Sequence, residues 1–304
     1  MSIAEATLAV ADHAAPPDLT AKPSWRYTKN TIMTALLVGA AVLVAVPLVA
    51  VVWAVVSRGI AVALRDFPAF FIKEIPSVAR RAGPGMGPAI LGTILVTGAA
   101  TLIAVPLGVL GAVYLHEYGK TNRFSKVVRF MATIMTGVPS VVMGLFVYVV
   151  WTMRFGYSAF GGSLALACLM LPVIIGATEQ MLRLVPGHLR EASYALGISK
   201  SRTILTVVLP AALPGIVSGS LLAVARAAGE TAPLLFAVGA ANEYNPNLFH
   251  EANTALSIQI FGNATSAFVA AQDRAWGAAL TLVFLTFVVT FAARSFTARV
   301  ARRR

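Results

Sequence analysis

The chain has 304 residues, of which 58% are hydrophobic and only 12% charged, about half of the roughly 25% charge of soluble domains. With a mean hydropathy of +0.80, that composition excludes disorder and a water-soluble globule, and sets most of the chain against lipid or other apolar helices. One cysteine, Cys168 in LALACLMLP, excludes an intrachain disulfide framework and reads as a small apolar core residue. The net charge of +12 would suggest nucleic acid in a soluble protein. In a membrane protein the same excess records basic cytoplasmic loops, and no nucleic-acid partner is needed.

Residues 1–30 are small and polar, with Pro16, Pro17 and Pro23, and end in Lys22, Arg26 and Lys29. They predict a disordered cytoplasmic tail. The apolar run that follows, about 25 residues, exceeds a signal-peptide core and predicts a retained membrane helix. Apolar segments recur at about 31–56, 88–114, 128–152, 162–185, 207–239 and 275–296. Each meets the roughly 20 residues that cross about 30 Å of hydrocarbon. Pro47, Pro106, Pro139 and Pro172 interrupt them as kinks that neighbouring helices can satisfy. Gly229 and Pro233 predict an early end to the fifth helix, leaving 234–239 as a separate piece. The expectation is an all-α integral membrane protein with six transmembrane helices in one domain over 31–296 and a basic cytoplasmic tail over 297–304.

Charge placement orients it. Basic residues gather in the N-terminal tail, in the second loop (Lys120, Arg123, Lys126, Arg129), in the fourth (Arg190, Lys200, Arg202) and at the C-terminus (Arg294, Arg299, Arg302, Arg303, Arg304). With six spans these share one side, which predicts cytoplasmic termini in a bacterial inner membrane. The first loop, 57–87, opposes the pattern at net +3, and its stretch FPAFFIKEIP predicts an interfacial helix with basic residues at the headgroups.

Between the fourth and fifth spans lies HLREASYALGISKSRTILTVVLPAALPG, residues 188–215. Glu191, Ala192, Ala195 and Leu196 suit a short helix, Gly197 permits a reversal, and Ser199 can cap a second helix. This predicts a cytoplasmic helix-turn-helix over about 188–206 whose first element exposes small residues, a shape that fits a groove on a partner protein.

Here the chain resembles the inner-membrane permease subunits of ATP-binding-cassette importers, whose fold is the MetI-like type I permease. Their signature of Glu-Ala-Ala, three residues, Gly, nine residues, Ile, one residue, Leu-Pro is matched by Glu191, Ala192, Ser193, Gly197, Val207, Leu209 and Pro210. The resemblance implies that this loop couples to a cytoplasmic ATPase. No GxxxxGK[ST] loop occurs, so ATP and Mg would be used by that partner, and this chain would carry no cofactor of its own. GVPSVVMGLF (137–146), ATEQMLRLVP (177–186) and ARAAGETAPLLF (225–236) further resemble the phosphate importers, PstA type. That resemblance covers about 85–295. It implies a PstC-type second permease, two copies of a PstB-type ATPase, and a PstS-type external phosphate-binding protein. The choice of PstA over PstC type rests on resemblance alone.

The residues agree in sign. Arg226 and Glu230 stand four apart in an apolar segment, and Glu179 and Arg183 do the same on the fourth span. An ionised group there costs at least about 2.5–3.5 kcal/mol on insertion scales, so it takes a functional or paired role. Two readings stay open: the pairs neutralise one another and lock helices, or they line a substrate pathway with guanidinium forks for phosphate. Rising from Pro210, Arg226 would lie about 24 Å toward the external side, whereas Arg183 can snorkel to the interface. Ser140, after Gly137-Val138-Pro139, can offer a hydroxyl to an anion or merely follow a kink.

His13, His116, His188 and His250 lack metal-ligand spacing, and no GxSxG or HExxH is present, which leaves neither a metal site nor a catalytic residue. Three functions remain: a phosphate-import permease working by alternating access, a permease for another anion such as sulfate or molybdate, and a passive anion channel.

Overall fold

The computed structural model describes residues 25–302 except 81, 82, 84, 120 and 121. Among them the chain is helical: α1 (Trp25–Arg65), α2 (Ala69–Ile72), α3 (Gly87–Tyr118), α4 (Arg123–Gly137), α5 (Ser140–Phe155), α6 (Ala159–Leu184), α7 (Gly187–Ala195), α8 (Lys200–Ala228), α9 (Ala232–Ala237), α10 (Leu256–Ala264) and α11 (Val269–Arg302).

The chain divides into two units, one ending at Trp53 and one beginning at Ala54. In the first, α1 starts at Trp25, so residues 25–30 are helix and not tail; the Thr31 and Thr34 hydroxyls donate to the Tyr27 and Asn30 carbonyls one turn back. The remainder of the expected tail, 1–24, lies outside the described residues, as do 303 and 304 of the C-terminal tail.

The second unit is built around α3, α6 and α8. Val96, Ala100 and Ala104 of α3 bury against Leu166, Met170 and Ile174 of α6 and Ala223 and Ala227 of α8. Water supplies little drive between helices in hydrocarbon, so close packing of small residues carries the association. A Cβ at Gly108 would stand 2.7 Å from Ile174 Cγ2, and one at Gly219 2.6 Å from Ala177 Cβ. The Ser163 hydroxyl adds a cross-helix bond to the Val96 carbonyl at 3.0 Å.

Among the described residues five helices are long and apolar enough to cross a membrane, and six spans result if the pair α4–α5, bent by 109° at Val138-Pro139, counts as one. The expected straight third span is therefore broken. Pro139 has no N–H and its φ is fixed, so the helix ladder stops there and α5 starts anew. The ends of the pair lie near opposite ends of α6, the arrangement of one broken span. Glu117 at the end of α3 bonds Arg190 of α7, which sets the C-terminal ends of α3 and α6 at one face. Trp151 of α5 bonds Ser158, just before α6 and roughly 39 Å of helix away.

Where an interfacial helix was expected, the stretch forms one turn, α2, with Phe70 tucked inward and Ile72 exposed at 62%. Phe70 is 1% exposed and packs with Met86, Ala89, Leu256 and Ala278. An aromatic-basic stretch reads alike for a headgroup layer and for a turn with one side tucked into a core. Two of the anomalous basic residues cover aromatic rings, Arg58 over Trp276 at 5.0 Å and Arg80 over Phe268 at 5.5 Å. As expected, the fifth span stops at Ala228, with Gly229 following and α9 standing apart.

Candidate functional site: a cavity at the broken span and a cytoplasmic helix-turn-helix

The break between α4 and α5 opens a cavity of about 350 Å³ walled by Pro139, Ser140, Pro172, Ala223, Arg226 and Glu230, among others. Three of the five predicted pathway residues thus meet in one place. Ser140 opens α5, and its cap residue, Pro139, provides no side-chain bond, so the positive end of the helix dipole borders the cavity. Arg226 sits in the last turn of α8 with its Nε 3.6 Å from Glu230 Oε1. Its side chain is 75% exposed and that of Glu230 21%. The pair does not share a helical face as expected, because α8 ends at Ala228 and Glu230 lies beyond it, its carbonyl accepting from the Ser257 hydroxyl at 2.9 Å. The two terminal nitrogens of Arg226 meet no protein acceptor among the described residues.

The predicted Glu179–Arg183 pair is corrected. Glu179 faces α4, where Arg129 Nη2 approaches its Oε1 at 2.9 Å, and Arg183 is exposed with no carboxylate partner among the described residues. Antiparallel packing brings a cation from 50 residues away closer than the i+4 neighbour. Arg129, assigned from sequence to a basic loop, also donates to the Leu115 carbonyl at 2.7 Å. Neither residue lines the cavity. Arg129 Nε and Glu179 Oε1 are both buried without a hydrogen-bond partner, so the contact is an ion pair of oblique geometry. Replacing Glu179 by Gln is expected to destabilise the protein by about 1–3 kcal/mol. Arg183→Gln is expected to stay within about 0.5 kcal/mol of the parent. Thermal unfolding in detergent checks both.

The helix-turn-helix forms as expected. Gly197 turns with φ +75°, where a side chain would be strained, and its N–H donates to the Tyr194 carbonyl at 2.9 Å. Ser199 holds the cap position, but its side chain bonds no backbone donor. The second element is not a short helix: it is the start of α8, which runs through a wide π turn, Ile204–Val208, into the membrane. Of the signature residues, Glu191, Ala192 and Gly197 are exposed, while Val207, Leu209 and Pro210 are half-buried in α8. Ser193 is buried, not outward-facing, and its hydroxyl pairs with that of Thr203 at 2.8 Å, pinning α7 to α8. Tyr194 and Leu196 enlarge the exposed face, at 42% and 80%.

Sequence reasoning passed over Glu117. Its carboxylate receives Arg190 at 2.8 Å and is 4% exposed. A lone carboxylate at the end of an apolar segment, followed by a basic helix-turn-helix, is the signal that could have found it.

The family of inner-membrane components of binding-protein-dependent transport systems matches residues 104–304. The phosphate transport system permease protein PstA 1 of Mycobacterium tuberculosis (strain CDC 1551 / Oshkosh) is 43% identical over 282 residues, spanning 92% of each chain. The PstA permease protein of Yersinia pestis is 37% identical over 274 residues, 90% of this chain and 91% of that one. In fold, the chain resembles the inward-facing MetNI methionine ABC transporter, with a TM-score of 0.52 at 18% identity, over 71% of this chain and 92% of that one. The chain therefore belongs to the inner-membrane component family of binding-protein-dependent transport systems, as a multi-pass permease of the PstA type.

Proposed function

We propose that this chain forms, with a second permease of PstC type, the pathway by which an ATP-driven importer moves inorganic phosphate. The observation that carries the reading is Arg226: a guanidinium whose terminal nitrogens meet no protein acceptor among the described residues, beside a cavity bordered by the start of α5. A planar fork matches two phosphate oxygens, and the helix terminus adds partial positive charge. Ser140 can donate a further hydrogen bond. Glu230 supplies a counter-charge that competes for Arg226 and keeps the anion from being held too tightly to leave. The names of the relatives support phosphate as the cargo. Glu179 and Arg183, away from the cavity, take no part in this site.

The exposed face of α7 and its turn, with Glu191, Ala192, Tyr194 and Leu196, docks on an ATPase subunit of PstB type, one of two copies. Hydrolysis of ATP with Mg takes place there, and this chain contributes alternating access. A PstS-type binding protein delivers phosphate from outside. Both termini are cytoplasmic, following the basic loops.

The test is uptake of radiolabelled phosphate into proteoliposomes holding the complete importer. ATP-dependent uptake competed by unlabelled phosphate supports the reading. Uptake blocked by sulfate and indifferent to phosphate overturns the cargo, and flux that persists without ATP or the ATPase makes the protein a channel.

A further inference from the structure

The strongest contact network not used by the pathway lies where the helix-turn-helix meets the membrane helices. Glu117 closes α3 in a π turn, Tyr114–Tyr118, and its side chain is 4% exposed. Arg190 of α7 spends its whole guanidinium here. Nε and Nη2 donate to Glu117 Oε1 at 3.2 and 2.8 Å. Nη1 donates to the Val185 carbonyl at 2.9 Å and Nη2 also to the Leu182 carbonyl at 3.1 Å. Those two carbonyls belong to the end of α6, where a helix leaves its last acceptors unfilled. From the start of α8, Lys200 Nζ donates to the Glu117 backbone carbonyl at 2.5 Å and lies 4.5 Å from the Tyr118 ring centroid.

Glu117 thus joins two contacts: its buried carboxylate holds Arg190 of α7, which also fills the last carbonyls of α6, and its backbone carbonyl receives Lys200, the first residue of α8. The Arg190–Glu117 contact is charge-assisted and shielded from water, at 17% and 4% exposure, while Lys200 reaches the same corner from an exposed position. Beside the tie lie two stretches of wide helix, the π turn of α3 and the one at Ile204–Val208 in α8. Such turns give up regular ladder bonds and often mark functional sites. Glu117 lies within the first of these turns, so a displacement of α7 enters α3 at the π turn, a place where the helix can flex.

We infer that Glu117 is a positioning residue for transport: through Arg190 and Lys200 it carries movement of the ATPase-docking helices into α3. The inference rests on the importer reading above and not on the identity of the cargo. The signal passes through an element that the sequence signature does not contain, some 70 residues upstream of it.

The experiment uses the complete importer in proteoliposomes, with this chain carrying Cys168→Ala and a spin label at Leu110→Cys, an exposed position of α3. In this parent the label spectrum is expected to change between nucleotide-free and ATP-vanadate-trapped states. With Glu117→Gln added, the ATPase subunits are expected to remain bound and to hydrolyse ATP, while the spectral change disappears and transport per ATP falls about tenfold or more. Glu117→Asp, which keeps the charge, is expected to restore most of both. Lys200→Met leaves the buried carboxylate pair intact and is expected to reduce the spectral change in part, so a Glu117→Gln chain that fails to assemble does not end the test. A label that never responds in the parent, a full response in Glu117→Gln, or a Lys200→Met chain with parental response would each overturn the inference. A parent whose label responds but which takes up no phosphate refutes the cargo and leaves the clasp standing.

Discussion

Arg226→Gln is expected to lower ATP-dependent phosphate uptake at least about 100-fold, with the protein expressed and assembled at parental levels. The magnitude follows from the geometry: Arg226 lines the cavity, its two terminal nitrogens meet no protein acceptor among the described residues, and each charge-assisted hydrogen bond to an anion is worth about 1.5–3 kcal/mol. Folding is spared because the side chain is 75% exposed and its ion pair with Glu230 is long at 3.6 Å. Arg226→Lys separates charge from shape. It keeps a cation and loses the fork, so its uptake is expected to fall between the two. Initial rates across a range of phosphate concentrations, with immunoblots of the membrane fraction, check both. A Gln variant that vanishes from the membrane would make the residue a structural one.

Gly197→Pro is expected to release the ATPase subunits and abolish ATP-driven uptake while the membrane helices stay folded. Proline requires φ near −65°, and Gly197 holds +75°. The substitution also deletes the N–H that donates to the Tyr194 carbonyl. The turn cannot form as it is, and the face carrying Tyr194 and Leu196 loses its shape. Glu191→Lys probes the same face without touching the backbone, since Glu191 is exposed. Reversing one charge there is expected to weaken docking and leave thermal stability within about 0.5 kcal/mol. Co-purification of the ATPase with tagged permease is the measurement; parental recovery with both variants would remove this loop from the coupling interface.

The helix-turn-helix was legible because its geometry is local. A glycine in the left-handed region and short-range backbone bonds define the turn, and all of it lies within a dozen residues. The cavity was half legible. Arg226, Glu230 and Ser140 stand out as polar residues in apolar runs, and their meeting follows from α8 and the α4–α5 break packing on α6. Charge pairing was the least legible. The i+4 rule places Arg183 beside Glu179 only if no other helix offers a cation, and α4 does so with Arg129. Likewise Ser193 looks like a small outward residue until a hydroxyl on the second helix, Thr203, arrives to receive it. Glu117 escaped notice for the same reason: its partners, Arg190 and Lys200, lie 73 and 83 residues on, and only the fold brings them near.

The exposure of Arg226 bears on how the subunit is made. An orphan copy inserted alone would leave a guanidinium that is 75% exposed with no second permease opposite it, and wherever acyl chains reach it the cost is at least about 2.5–3.5 kcal/mol on insertion scales. Within the proposed pathway, facing a second permease and a water-filled route, the same group is solvated. On the proposed reading, the residue that would draw the anion also makes the unassembled chain the less stable species, and would tie the lifetime of this subunit in the membrane to the supply of its mate.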